Sequence, residues 1–240
     1  VRVPIHVCGF LGAVAFACIG SLSGGVSPIN TIIALASRDP HVQVANPFDL
    51  QLSLLFANPG QTIVLAPGVY RGNFLIASSG TAEQPITLQG HSDAVLDGGT
   101  YAMNYGLMVR GSHWHIDALN LRNAKKGIVL HGASFNVLSR MRVEDIGEEG
   151  IRLRGNSRNN TIDACAIART GLLRPGYGEG IYIGSAHDSW DEVTGGEPDR
   201  SDNTIVLNCV LGPDIGAELI DIKEGTSGGV VRGNTLDGTG

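Results

Sequence analysis

The chain has 240 residues, room for one large domain or two small ones, and a formal net charge of −6. That balance argues against nucleic acid as a partner. Its 34 glycines follow no Gly-X-Y period, which excludes collagen, and turns at repeated corners account for them better.

Arg2 precedes an apolar run from Ile5 to Leu22, and Ser21, Ser23, Gly24 and Gly25 follow. Residues 1–25 therefore read as a signal peptide and imply export. The run is short for a membrane anchor and is interrupted by Gly9, Gly12 and Gly20, so no stable span is expected in the mature chain. Cys8 and Cys18 lie in this segment. Residues 26–46 show no period and read as a linker. Phe48, Leu50, Leu52, Leu54, Leu55 and Phe56 then form an apolar patch before Asn58-Pro59-Gly60. A short helix fits there, and it would cover the exposed edge at one end of a stacked structure.

Short strands separated by turns follow. Gln61–Tyr70 is a strand, a Pro-Gly turn and a second extended piece. Gly80–Leu88 and Ala94–Gly99 repeat the idea. From Gly106 a phrase recurs: Gly106-Leu-Met-Val-Arg-Gly, Gly127-Ile-Val-Leu-His-Gly, Gly150-Ile-Arg-Leu-Arg-Gly, Gly180-Ile-Tyr-Ile-Gly and, altered, Leu219-Ile-Asp-Ile-Lys-Glu-Gly. The starts are 21, 23, 30 and 39 residues apart. Repeats of this period mark a solenoid, because one copy cannot bury its own apolar face. A second apolar segment accompanies each copy: Ile116, Leu119, Leu121; Leu138, Met141, Val143; Ile162, Cys165, Ile167. At the same offsets stand Ile205, Asn208, Val210 and Val231, Asn234, Leu236, which predicts an Asn208–Asn234 amide stack. Cys165 and Cys209 lack metal-site spacing and read as small buried residues rather than a disulfide. Asn159-Asn160-Thr161 is a glycosylation sequon at a turn. The class is all-β, a right-handed parallel β-helix over 47–240 with a short capping helix. The chain stops in mid-pattern and is expected to be a fragment.

Strand side chains alternate between faces. Leu107, Ile128, Ile151, Ile181 and Ile220 form one inward column, and Val109, Leu130, Leu153, Ile183 and Ile222 a second. Met108, Val129, Arg152, Tyr182 and Asp221 then face outward, as do Arg110, His131, Arg154, Gly184 and Lys223. Cations stacked this closely repel one another unless an anion lies on them. The bland alternative is a solvated face. Glu149, Glu179 and Glu218 stand just before successive strands, and Glu179, Glu218 and Asp221 could hold Ca2+. The longest coil carries an insertion, Ser185–Asp202, in which Trp190 could platform a sugar ring or pack the loop to the barrel. His187, Asp188, Asp191 and Asp199 have no fixed ligand spacing.

Pro59–Tyr70 followed by Gly80–Leu88 resembles the N-terminal coils of β-helical polysaccharide lyases, the chondroitinase B/alginate lyase group and the related pectate lyases. Glu218-Leu-Ile-Asp-Ile-Lys223, followed by Arg232-Gly-Asn-Thr235, is similar to that group's active-site strand. The likeness covers roughly 55–240. It implies a calcium-binding role for Glu218 and a catalytic base at Lys223, with a catalytic Arg about one coil further on. Where that group often has a second Glu, this chain has Gly216. The implied function is a secreted, monomeric protein that cleaves an acidic, uronate-containing polysaccharide, such as pectate, by β-elimination. Arg110, His131, Arg152, Arg154, Tyr182 and Trp190 would bind the polymer. The chemistry needs a Lys whose pKa is lowered toward neutral by its surroundings, and Arg154 and calcium are expected to do this. Two alternatives stay open: a non-catalytic carbohydrate-binding or surface protein on the same solenoid, and a glycoside hydrolase using Asp214 and Asp221.

Overall fold

The computed structural model describes residues 39–102 and 105–239; the signal-like segment, Cys8 and Cys18 lie outside them. Three parallel sheets of eight, seven and six strands run the length of the solenoid. Each coil adds one strand to each sheet in turn. The first sheet starts at His41–Val44 and includes Trp114–Asp117, Val137–Ser139, Thr161–Asp163 and Ile205–Leu207. The second includes Asn120–Ala124, Arg142–Ile146, Ala166–Ala168 and Val210–Leu211. The third carries Phe74–Ile76, Leu107–Val109, Ile128–His131, Ile151–Arg154, Ile181–Ile183 and Ile220–Ile222. This is the parallel β-helix expected from the repeats. No helix among the described residues is long and apolar enough to cross a membrane.

The two aliphatic columns of the third sheet pair as predicted. Leu107, Ile128, Ile151, Ile181 and Ile220 align, as do Val109, Leu130, Leu153, Ile183 and Ile222. All but Ile220 and Ile222 are buried. The recurring glycine has a steric cause. A Cβ on Gly127 would stand 2.2 Å from the carbonyl oxygen of Gly150 in the next coil and 2.7 Å from Val143 Cγ1. Gly150 and Gly180 meet the following coil in the same way, at 2.7 Å from the Gly180 and Leu219 carbonyl oxygens. The corner entering the third sheet therefore has no room for a side chain.

Helix α1 spans Pro47–Phe56 and packs on the first coils. Asn46 caps it: its Oδ1 accepts from the Asp49 amide at 3.0 Å, and Pro47 opens the first turn. Leu50 and Leu54 enter the core, whereas Phe48 and Phe56 are exposed.

Two expectations are corrected. The linker ends earlier than residue 46, because His41–Val44 already pairs with Thr62–Leu65; Val42 and Val44 point inward and His41 and Gln43 outward, a strand's period of two. The coil after the insertion is also shifted by one residue. Val206, Cys209 and Leu211, not Ile205, Asn208 and Val210, continue the inward columns. The corner explains the shift. Ala118, Arg140, Ala164 and Asn208 adopt left-handed backbone, and the next residue turns inward. Asn tolerates that conformation better than most residues, so Asn208 is the corner and Cys209 the core position. Asn208 donates to Asp163 Oδ1, and Asn234 Oδ1 instead accepts from the Cys209 amide. The amide ladder forms elsewhere: Asn136 Nδ2 donates to Asn160 Oδ1 at 3.2 Å, and both residues are buried.

The outer face of the second sheet carries an ion-pair ladder. Arg169 Nη2 and Arg142 Nη2 each lie 2.8 Å from Glu144 Oε2, and Arg169 Nε donates to Asp145 at 2.6 Å. Hydrogen bonds from Arg142 and Arg169 hold Glu144 and Asp145 below their ordinary values of 4.5 and 3.8. A depressed carboxylate adds stability above its unfolded pKa and loses it as pH falls through the folded one. Urea unfolding at about pH 3 should therefore show a lower midpoint than at about pH 7, and Glu144→Gln should shrink the difference.

Candidate active site on the third sheet

The outer face of the third sheet gathers most of the residues singled out in the sequence. Tyr105, Met108, Arg110, Lys126, Val129, Arg152 and Arg154 line a groove of about 370 Å3. Successive coils along it are about 4.8 Å apart, so the distance from the Arg110 coil to the Lys223 coil is about 19 Å.

The cations are not equivalent. His131 is not one at neutral pH: burial, Arg154 and Arg110 hold its pKa down. Its Nδ1 accepts from Arg154 Nε at 2.9 Å, which leaves Nε2 to carry the proton. Arg152 is half-enclosed. Its Nη1 lies 2.6 Å from Glu149 Oε1, and its guanidinium sits 4.8 Å from the Tyr182 ring centroid. Lys126, which the sequence reading missed, pairs with Glu149 and, at 2.6 Å, with Glu148. Glu149 is thus paired with cations, and its backbone keeps the predicted stack with Glu179 and Glu218.

At the far end of the groove, Glu179, Glu218 and Asp221 come together, with one carboxylate oxygen from each lying within 4.8 Å of the others. Glu179 is buried, and its Oε2 has no hydrogen-bond partner. Burial, reinforced by Glu149, Asp221 and Glu218, raises its pKa. A buried, unpartnered oxygen amid carboxylates fits a hard divalent cation. Lys223 already supplies one positive charge there, with Nζ 2.6 Å from Asp221 Oδ2. The hydrogen bond that Lys223 donates to Asp221 raises the Lys223 pKa. This corrects the expected lowering: the partner is a carboxylate in the next strand position but one, and it favours the charged ammonium. Tyr182 lies between the cations, its ring centroid 5.1 Å from Lys223 Nζ. Burial keeps the phenol protonated.

The insertion is bound to the groove's rim rather than loose. Asp199, fully buried, accepts from the Gly155 and Asn156 amides and from Ser185 and Ser201 hydroxyls, all at 2.8–2.9 Å. That is a structural clamp and uses up the carboxylate's acceptor capacity, so Asp199 is no metal ligand. Trp190 opens helix α2, Trp190–Thr194, and its Nε1 donates to the Ser185 carbonyl at 2.9 Å. Gly225 lies under the ring: a Cβ there would be 3.1 Å from it. The indole packs the insertion to the barrel. His187 is edge-on to Trp190, and with Asp188 and Asp191 it lines a separate polar hollow. Asp214 sits in the turn after Val210–Leu211, while Asp221 belongs to the Glu179–Glu218 cluster.

The solenoid of three parallel sheets is a right-handed parallel β-helix. The model of the family described as "Pel9A-like, right handed beta helix region" matches residues 36–169, more than half of the chain, and the chain belongs to that family. The crystal structure of an alginate lyase from Paenibacillus sp. str. FPU-7 is 39% identical, with a TM-score of 0.80 over 83% of this chain and 67% of that one. Pectate lyase Pel9A shares the fold alone, at 16% identity and a TM-score of 0.56 over 71% of this chain and 53% of that one. Pectate lyase L of Thermoclostridium stercorarium is 28% identical over 146 residues, which is 57% of this chain and 11% of that protein. The chain thus spans about a tenth of the curated relative it matches.

Proposed function

We propose that this protein is a secreted polysaccharide lyase acting on a uronate polymer, alginate or pectate, by β-elimination. The observation that carries the reading is the junction of Lys223, Tyr182 and the Glu179–Glu218–Asp221 cluster at one end of the basic groove. The alginate lyase and pectate lyases similar to this chain support the substrate class.

Arg110, Arg154 and Lys126 would bind the polymer's carboxylates, and the neutral His131 would offer its Nε2–H. Lys223 would take the C5 proton of a uronate once its ion pair with Asp221 is broken and its ammonium has given a proton to solvent, leaving the neutral amine as the base. The C5 proton is α to a carboxylate, and charge builds on the carboxylate as it leaves. Tyr182, held protonated beside the base, would give a proton to the departing glycosidic oxygen. A divalent cation held by Glu179, Glu218 and Asp221 would supply positive charge to the sugar carboxylate. Incubation with polymannuronate, polyguluronate and polygalacturonate, calcium present, should yield unsaturated ends that absorb in the ultraviolet. Silence on all three would defeat the reading.

Calcium should also act on the fold. At about 100-fold above its dissociation constant it should raise the melting temperature by about 5 °C, and Glu179→Gln should abolish the rise. A non-catalytic binder is the second reading, favoured by the charged state of Lys223 in its pair with Asp221. It requires polymer binding with no product and no loss of binding in Lys223→Ala.

A further inference from the structure

Cys165 and Cys209 occupy the same core column in adjacent coils. Ala166 pairs with Val210 immediately after them, and the Val210 amide donates to the Cys165 carbonyl at 2.8 Å. Both thiols are buried and reduced in this structure. Both side chains point into the core, the Cys165 sulfur 3.6 Å from the Leu138 carbonyl oxygen of the preceding coil. The Cys209 sulfur leans back toward the Cys165 coil, 3.7 Å from the Ile162 carbonyl oxygen. Stacked strand positions are about 4.8 Å apart, inside the Cα range that a disulfide spans.

Between these two cysteines runs the longest coil, which carries Glu179, Tyr182, Trp190 and Asp199. Among the hydrogen bonds that hold its insertion to neighbouring coils are those of Asp199 and of the Glu224 carboxylate that accepts from the His187 amide. A bond from Cys165 to Cys209 would close this coil at its base, where it leaves and re-enters the core.

We propose that Cys165 and Cys209 form a coil-to-coil disulfide when the protein folds in an oxidising compartment. Access is through the unfolded chain, since the folded core shields both sulfurs. One cysteine thiolate attacks a small-molecule disulfide such as oxidised glutathione, forming a mixed disulfide and releasing one glutathione thiolate. The second cysteine thiolate attacks the mixed disulfide at the protein sulfur and releases the other. Two thiol protons pass to solvent or to the released thiolates, and the two electrons reside on glutathione.

The test is refolding of the full chain in an oxidised/reduced glutathione mixture, beside refolding with a reductant. Alkylation in denaturant followed by peptide mapping reads the pairing. A linked peptide pair containing Cys165 and Cys209, together with a melting temperature about 10 °C above that of the reduced protein, is expected. Reductant should reverse both, and Cys209→Ala should leave Cys165 alkylatable and the melting temperature insensitive to oxidation. Should Cys209→Ala fail to fold, the wild-type map alone decides. Alkylation of both cysteines after oxidative folding, or linkage of either to Cys8 or Cys18, overturns the proposal.

Discussion

Lys223→Ala should lower the rate of unsaturated-product formation by about 10²- to 10⁴-fold while leaving the solenoid folded. The ammonium is on the outer face of the third sheet, and its side chain is about a quarter exposed, so no core packing is lost. Its removal deprives Asp221 of its partner beside Glu179 and Glu218. For a partly exposed pair that costs about 1 kcal/mol, and the carboxylates left behind should make the variant's melting temperature depend more on calcium. Polymer binding should change little, because Arg110, Arg154 and Lys126 line the groove independently of Lys223. Lys223→Arg should not restore turnover, since a guanidinium does not give up its proton near neutral pH. A Lys223→Ala protein that keeps wild-type turnover would remove the base from the mechanism, and one that loses binding and turnover together would make Lys223 a binding residue.

Gly127→Val should be among the most damaging single changes in the described fold. The added Cβ alone would meet the Gly150 carbonyl oxygen at 2.2 Å and Val143 Cγ1 at 2.7 Å. Backbone in the next coil cannot yield without breaking the ladder, where the Gly127 amide donates to the Glu149 carbonyl at 2.9 Å and the Ile128 amide to that of Gly150. The cost should exceed about 3 kcal/mol and lower the melting temperature by about 10 °C or prevent folding. Gly176→Ala provides the contrast. A Cβ there meets nothing within 4 Å, so the change should stay within about 0.5 kcal/mol. If thermal melts show the two variants alike, close coil-to-coil contact is not the reason for the recurring glycine.

The coils were legible because their signal is local and repeated. Apolar residues two apart after each glycine can only face the core together, and this set the third-sheet register from Leu107 to Ile222. The same logic slipped by one residue at Ile205, where the insertion removes the spacing from the preceding copy and a left-handed corner at Asn208 sets the phase. The Asn before Cys209 was the available signal. Glu179, Glu218 and Asp221 could be grouped from the columns, because carboxylates at one corner of successive coils must be neighbours. Lys126 was legible by the same rule and was missed, since it stands just before Gly127 as Glu149, Glu179 and Glu218 stand before their own strands.

Sequence alone determined the solenoid, the inward and outward columns, and the end of the groove where acids and Lys223 meet. Each follows from the two-residue strand period and from stacking at fixed spacing. Tertiary structure decided which charges are engaged. Glu149 is taken by Lys126 and Arg152, His131 is neutral against Arg154, Trp190 is spent on holding the insertion, and Lys223 is held charged by Asp221. Column position says which residues are near. Partner choice depends on burial and on atoms from corners and from the neighbouring coil, and only the folded chain brings those together.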